Sequence, residues 1–183
     1  MSNSQNLQHV HAALRKKFSN RKLIFGNGVV GSKICFIIDF PDPEGVKEGK
    51  PLGSNNKKLL NKILRSLGLD VKKTYITSVV KYYPDGKKPS PKEIKSYVPF
   101  LKEEIKTIGP KVVVTLGDIA LNSIGLRQPL SNIHGRVFNF GSYSLLPTYH
   151  PESALKDSNI HNLLQLDLLR LKNILTESEK KVV

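Results

Sequence analysis

Four short apolar runs constrain any fold of this 183-residue chain: ICFIID (Ile34 to Asp39), TYITSVV (Thr74 to Val80), KVVVTLG (Lys111 to Gly117) and YSLLPTY (Tyr143 to Tyr149). Each is rich in β-branched or aromatic residues and short for a helix, so each reads as a largely buried strand. Between them the apolar spacing changes to that of a helix. Leu59, Leu60, Ile63, Leu64 and Leu67 form one stripe, closed by Gly68, and Ile94, Tyr97, Val98, Leu101 and Ile105 form a second. Another helix is expected after Gly117, and a last one carries Ile160, Leu163, Leu164, Leu168 and Leu171. Alternating strands and helices predict an α/β protein: a three-layer α/β/α sandwich around a mostly parallel four-stranded sheet. The length suits one domain over residues 1–183, with an N-terminal helical segment at 1–20 and a frayed, mixed-charge tail at 176–183.

Charge narrows the partners. Lysine and arginine number 29 against 15 aspartates and glutamates, a formal charge of +14, and a field of that sign favours nucleic acid. No segment reaches the apolar length of a bilayer span, and no amphipathic anchor stands out, so no membrane role is expected. The amino terminus lacks the apolar centre of a secretory signal. One cysteine excludes an intramolecular disulfide framework, and with five scattered histidines it supplies no metal cage. The expected setting is intracellular and reducing, and Cys35, inside an apolar run, reads as a buried structural thiol.

In a parallel sheet, ligand-binding groups gather beyond the carboxyl ends of the strands. The four loops there are DFPDPEG, KYYPDGKKPSP, GDIA and HPESAL. The first brings Asp39 with Pro41, and the last brings His150 with Pro151. A carboxylate and an imidazole so placed can share a pocket, although Pro151 also suits a first helical turn and His150 the bend before it. GNGVVG (26–31) carries the letters of a dinucleotide fingerprint but precedes the first core strand, so it reads as a turn into the sheet. The GSK that overlaps its end has lysine after serine, the wrong order for a phosphate-binding loop.

Four collinear fragments resemble the uracil-DNA glycosylase superfamily, most closely its family 4 branch. IDFPDPEGVKEGKPLG keeps the acid, the proline and the later G-x-P of that family's first motif, GEAPG followed by GRPF. YITSVVKYYPD is similar to YITNVVKCRPP, PKVVVTLG to PRVIVTLG, and LPTYHPESAL to LPTYHPAALL. The resemblance implies phosphate contacts with DNA, extrusion of a nucleotide, and cleavage of its base–sugar bond. Asp39 falls on the family's acid, which would stabilise positive charge on the deoxyribose and orient water. His150 would donate a hydrogen bond to the base oxygen that gathers negative charge. Backbone at Phe40 would hold another base oxygen. Leu52 falls on a base-stacking phenylalanine and Ser78 on a base-reading asparagine.

The residues after His150 resemble the family's DNA-intercalating loop, which points to Ala154 or Leu155 as the wedge. Lys57, Lys58, Lys87 and Lys88 read as phosphate contacts, as does Arg136 in a turn with His134 and Gly135. Family 4 members hold an iron–sulfur cluster through four cysteines, and two of those positions fall on Tyr82 and Tyr97, so a cluster-free branch with no cofactor is expected, its rings replacing the metal's structural role. The expected function is a monomeric, monofunctional DNA glycosylase that hydrolyses the N-glycosidic bond of uracil, or another deaminated base, in single- or double-stranded DNA. The alternative is a glycosylase-fold DNA-binding or replication accessory protein with little or no excision, favoured by Ser78 and Leu52. A hydroxyl cannot repeat the two-point recognition of an amide, and leucine covers a ring without stacking on it.

Overall fold

The computed structural model describes residues 2–180. Strands β1 (Asn27–Gly28), β2 (Ile34–Ile38), β3 (Thr74–Ser78), β4 (Val112–Leu116), β5 (Phe138–Asn139) and β6 (Ser144–Thr148) form one sheet in the order β1-β3-β2-β4-β6-β5. The four expected strands make its parallel centre. Two antiparallel edge strands of two residues each extend it to six, too short to leave a periodic signal. GNGVVG is the expected turn into the sheet, with β1 inside it. Gly28 has φ 137°, and a Cβ there would strike the Thr74 carbonyl oxygen, so only glycine fits that edge pairing.

Side chains alternate across β2: Ile34, Phe36 and Ile38 enter one core layer, and Cys35 and Ile37 the other. The first layer is closed by α3 (Ser54–Ser66), α7 (Pro151–Lys156), α8 (Ser158–Leu168) and α9 (Arg170–Lys180). The second is closed by α1 (Asn3–Lys17), α4 (Pro91–Ile108), α5 (Asp118–Ile124) and α6 (Leu130–Ile133). The short α2 (Pro43–Glu48) follows β2. The α3 stripe packs as its spacing predicts, and Gly68 follows with φ 72°. The α4 helix starts at Ser90, whose Oγ accepts from the Glu93 amide at 3.2 Å. The single last helix expected from Ile160 to Leu171 is instead two, α8 and α9, meeting at Leu169. The tail expected to fray from 176 is helical through Lys180, because Leu171 and Ile174 anchor α9 and Glu179 pairs with Lys33 at 2.7 Å; residues 181–183 lie outside the described residues. Among the described residues, no helix is long and apolar enough to cross a membrane.

Aromatic rings fill the junction of α1 and α4. Phe18 stacks on Tyr97 at 3.9 Å between centroids, and Tyr82 lies 6.4 Å from Tyr97. Arg21 covers the Tyr82 ring at 4.2 Å, while the Tyr82 hydroxyl donates to Glu93 at 2.6 Å. These are the two tyrosines that fall on cysteine positions of the resembled family. Packed carbon and phenol oxygen offer no thiolate, and the one cysteine, Cys35, is wholly buried in β2, so these residues do not fit an iron–sulfur cluster. Beneath the rings, Lys81 and Glu104 form a buried ion pair at 2.5 Å.

Candidate active site at the carboxyl edge of the sheet

Register sets the geometry of this edge. Ser78, Ile38, Leu116 and Thr148 form one row across β3, β2, β4 and β6. Asp39 lies one residue beyond β2 and His150 two beyond β6, with β4 between, so their chains are separated by about 10 Å, two strand spacings. Gly117 lies between them: its N–H donates to the Thr148 carbonyl at 3.3 Å, and a Cβ on it would meet Asp39 Oδ1 at 2.8 Å. With φ 122°, Gly117 is required both by its backbone and by the carboxylate it adjoins.

Asp39 is held by the start of α5. Its Oδ1 accepts from the Ala120 amide at 2.7 Å, and the Ile119 amide also favours the carboxylate. Burial outweighs those amides and pushes the carboxyl up to about 6, with Asp118 adding to the rise and Lys88 opposing it. The loop carrying Lys87 and Lys88, both exposed, thus brings positive charge toward Asp39.

His150 is the N-cap of α7. Its Nδ1 accepts from the Glu152 amide at 3.0 Å at the start of α7, which leaves the proton of the neutral ring on Nε2. Burial lowers its pKa, against the smaller opposing influence of Glu152 and Asp42, so the ring is a neutral donor. Asp42 went unnoticed in the sequence. It is buried and accepts from the amides of Gly45 at 2.6 Å and Gly53 at 2.9 Å and from Asn56 Nδ2 at 2.9 Å, fastening α2 to the start of α3. Its local part was readable, since Asp before Pro43 and Glu44 is a helix-start pattern; the contacts to Gly53 and Asn56 were not.

The three expected base-binding residues do not share one layer. Phe40 is half-buried and packs with the α4 and α5 layer. Leu52, which falls on the family's base-stacking phenylalanine, is a core side chain, 1% exposed, in the α3 and α7 layer. Ser78 faces that same layer by its alternation with Ile76; it is fully buried, and its Oγ has no partner. Of the two expected wedge residues, Ala154 is a core residue of α7 at 3% exposure, whereas its neighbour Leu155 is 55% exposed. The difference is one of helix face, which two adjacent apolar letters cannot reveal.

Among the expected phosphate contacts, Lys58 and Arg136 are exposed and Lys57 is half-buried. Burial and the nearby Lys50 lower the Lys57 pKa, a repulsion that an anion placed between them would relieve. The turn bearing Arg136 is braced from below. His134 Nδ1 contacts Asp167 Oδ2 at 2.9 Å, and Thr148 donates to the same carboxylate at 2.6 Å. Gly135, with φ 71°, has no Cβ to strike that carboxylate. Arg136 lies 5.5 Å from the Phe138 ring centroid.

A family model described as the uracil DNA glycosylase superfamily matches residues 25–167, which span the whole sheet and both candidate loops. The chain belongs to that superfamily. Within the superfamily it is similar to a type-4 uracil-DNA glycosylase of Sulfurisphaera tokodaii, 30% identical over 81% of this chain and 73% of the relative. A type-4 uracil-DNA glycosylase of Thermotoga maritima is 28% identical over 84% of this chain and 83% of its own length. A DNA polymerase of Bacillus phage SP01 is 26% identical over 90% of this chain, a stretch that makes up 18% of the polymerase.

Proposed function

We propose that the protein removes uracil from DNA by hydrolysing the bond between base and deoxyribose. The observation that carries this reading is the placement of Asp39 and His150 at one sheet edge, on strands to either side of Gly117, one group ionised above about pH 6 and the other a neutral donor. As the bond lengthens, the sugar gains positive charge and the uracil negative charge. Asp39 faces the first and orients a water, whose oxygen bonds to the sugar carbon and whose proton Asp39 accepts. His150 Nε2–H donates to a uracil oxygen, a contact that strengthens as the base departs. The neutral tautomer set by the Glu152 amide suits that task without further proton transfer. Leu155, exposed on the helix that follows His150, fills the stack left by the extruded nucleotide. Lys57, Lys58, Lys87, Lys88 and Arg136 contact phosphates.

A second reading rests on Ser78 and Leu52. With both buried, and with Ser78 Oγ unpartnered, base recognition differs from an amide-and-ring pocket. A glycosylase-fold module that binds DNA beside a replication protein fits those residues, and the partial match to a polymerase supports it. Incubation with labelled oligonucleotides containing uracil, hypoxanthine or a thymine mismatch, single- and double-stranded, followed by alkali, separates the two. Strand breaks at uracil support excision. Binding with no breaks on any substrate supports the module.

A further inference from the structure

A groove of about 700 Å³ lies between α4 and α5, on the opposite core layer from Leu155 and Lys57. Its apolar floor includes Ile94, Val98, Ile119 and Ile124, and its rim carries Lys95, Lys102 and Arg127. A second groove of about 490 Å³ shares Lys102 and Ile124 with the first and continues past Lys106 to Phe140 and Tyr143. Together they form a trench along the flank of α4 beside α5, from Pro91 to Gly109, roughly 27 Å at the rise of a helix. Neither groove is lined by an aspartate or glutamate. Ser123, also in the lining, has a buried Oγ without a partner.

We propose that this trench docks an acidic, amphipathic segment of a partner protein. The floor accepts apolar side chains, and the cations along one rim of α4 meet carboxylates between them. Lys95, Lys102 and Lys106 stand at i, i+7 and i+11, one helical face, so they present a row of charge beside the apolar strip. A DNA backbone would meet the same cations but gain nothing from the floor, and its phosphates would have to lose water against isoleucine and valine. The trench runs from the carboxyl edge of the sheet, at Pro91 and Ile119, toward the opposite edge, at Gly109 and Pro110. Its occupant therefore rides along the flank, away from the carboxyl edge of the sheet where DNA engages.

The test uses the full chain and a fluorescein-labelled synthetic peptide in which leucine and phenylalanine alternate with aspartate. Two controls replace aspartate by asparagine, or leucine and phenylalanine by serine. Fluorescence anisotropy is expected to show binding of the parent peptide and weakening by at least about tenfold for each control. The double variant Lys102→Glu, Arg127→Glu, with its circular dichroism unchanged, loses peptide affinity by a similar factor while affinity for a single-stranded oligonucleotide falls less. Saturating oligonucleotide leaves the peptide bound. Absence of peptide binding, equal affinity for all three peptides, or displacement by the oligonucleotide overturns the proposal, the last by making the trench a nucleic-acid track. None of these readings requires uracil release, so failure of the docking surface and failure of the excision chemistry are distinguishable.

Discussion

Two carboxylates, the buried Glu104 and the half-buried Asp39, are treated in opposite ways. Glu104 is 1% exposed and accepts from Tyr75, Thr77 and Lys81 at 3.0, 2.8 and 2.5 Å. Lys81 in turn donates to Thr77 and to the Ser78 carbonyl, both at 2.6 Å. Charge and hydrogen bonds close on themselves, and the aromatic junction of Phe18, Tyr82 and Tyr97 lies alongside. Among the described residues, Asp39 has only backbone amides of α5 for hydrogen bonds and no directly bonded cation, and burial pushes it up to about 6. The contrast separates a carboxylate used to fasten α4 to the sheet from one kept uncompensated at the edge. A partly desolvated charge without a bonded counter-ion lowers stability and is available for chemistry.

The largest effect should come from breaking the closed network. Glu104→Ala strands the Lys81 ammonium in the core and is expected to lose about 3–5 kcal/mol in urea denaturation. A loss below about 1 kcal/mol would show that the pair does not hold the junction.

The same kind of change at Asp39 should act with the opposite sign. Its folded pKa stands above the ordinary 3.8, so the folded state binds the proton more tightly and stability falls as pH rises from about 4 to about 6. Asp39→Asn keeps an acceptor for Ala120 and removes the charge. It should stabilise the fold at pH 7 by up to about 2 kcal/mol and leave stability unchanged below pH 4. Destabilisation at pH 7 would mean that the α5 amides outweigh burial.

The smallest change in stability is expected at the proposed wedge, Leu155. Leu155→Ala should shift unfolding by less than about 0.5 kcal/mol, since the side chain is exposed, while slowing uracil release from duplex more than from single strands. Equal slowing on both would remove Leu155 from the stack.

Much of this contrast was legible before the structure. The four parallel strands show because β-branched runs alternate with helical stripes, and Asp39 and His150 show because both follow strand ends. The edge strands β1 and β5 are too short to have a period, and the break at Leu169 hides in an apolar stripe that continues through it. Ala154 and Leu155 differ only by helix face, and the burial of Leu52 and Ser78 depends on which layer covers them. The Asp42 hub joins residues up to 14 apart in sequence, a contact no local pattern encodes. Fold and loop identity are thus local information, while the depth and satisfaction of each side chain arise from packing.

The central claim, excision of uracil by ionised Asp39 together with His150 at the same sheet edge, is tested most directly by single-turnover uracil release against pH. The wild-type rate should climb about tenfold per pH unit below about 6 and level above it, following ionisation of Asp39. Asp39→Asn should lose that climb together with at least about a hundredfold of the plateau rate. No uracil release from any strand, or an Asp39→Asn profile that retains both the climb and the wild-type rate, would contradict the account.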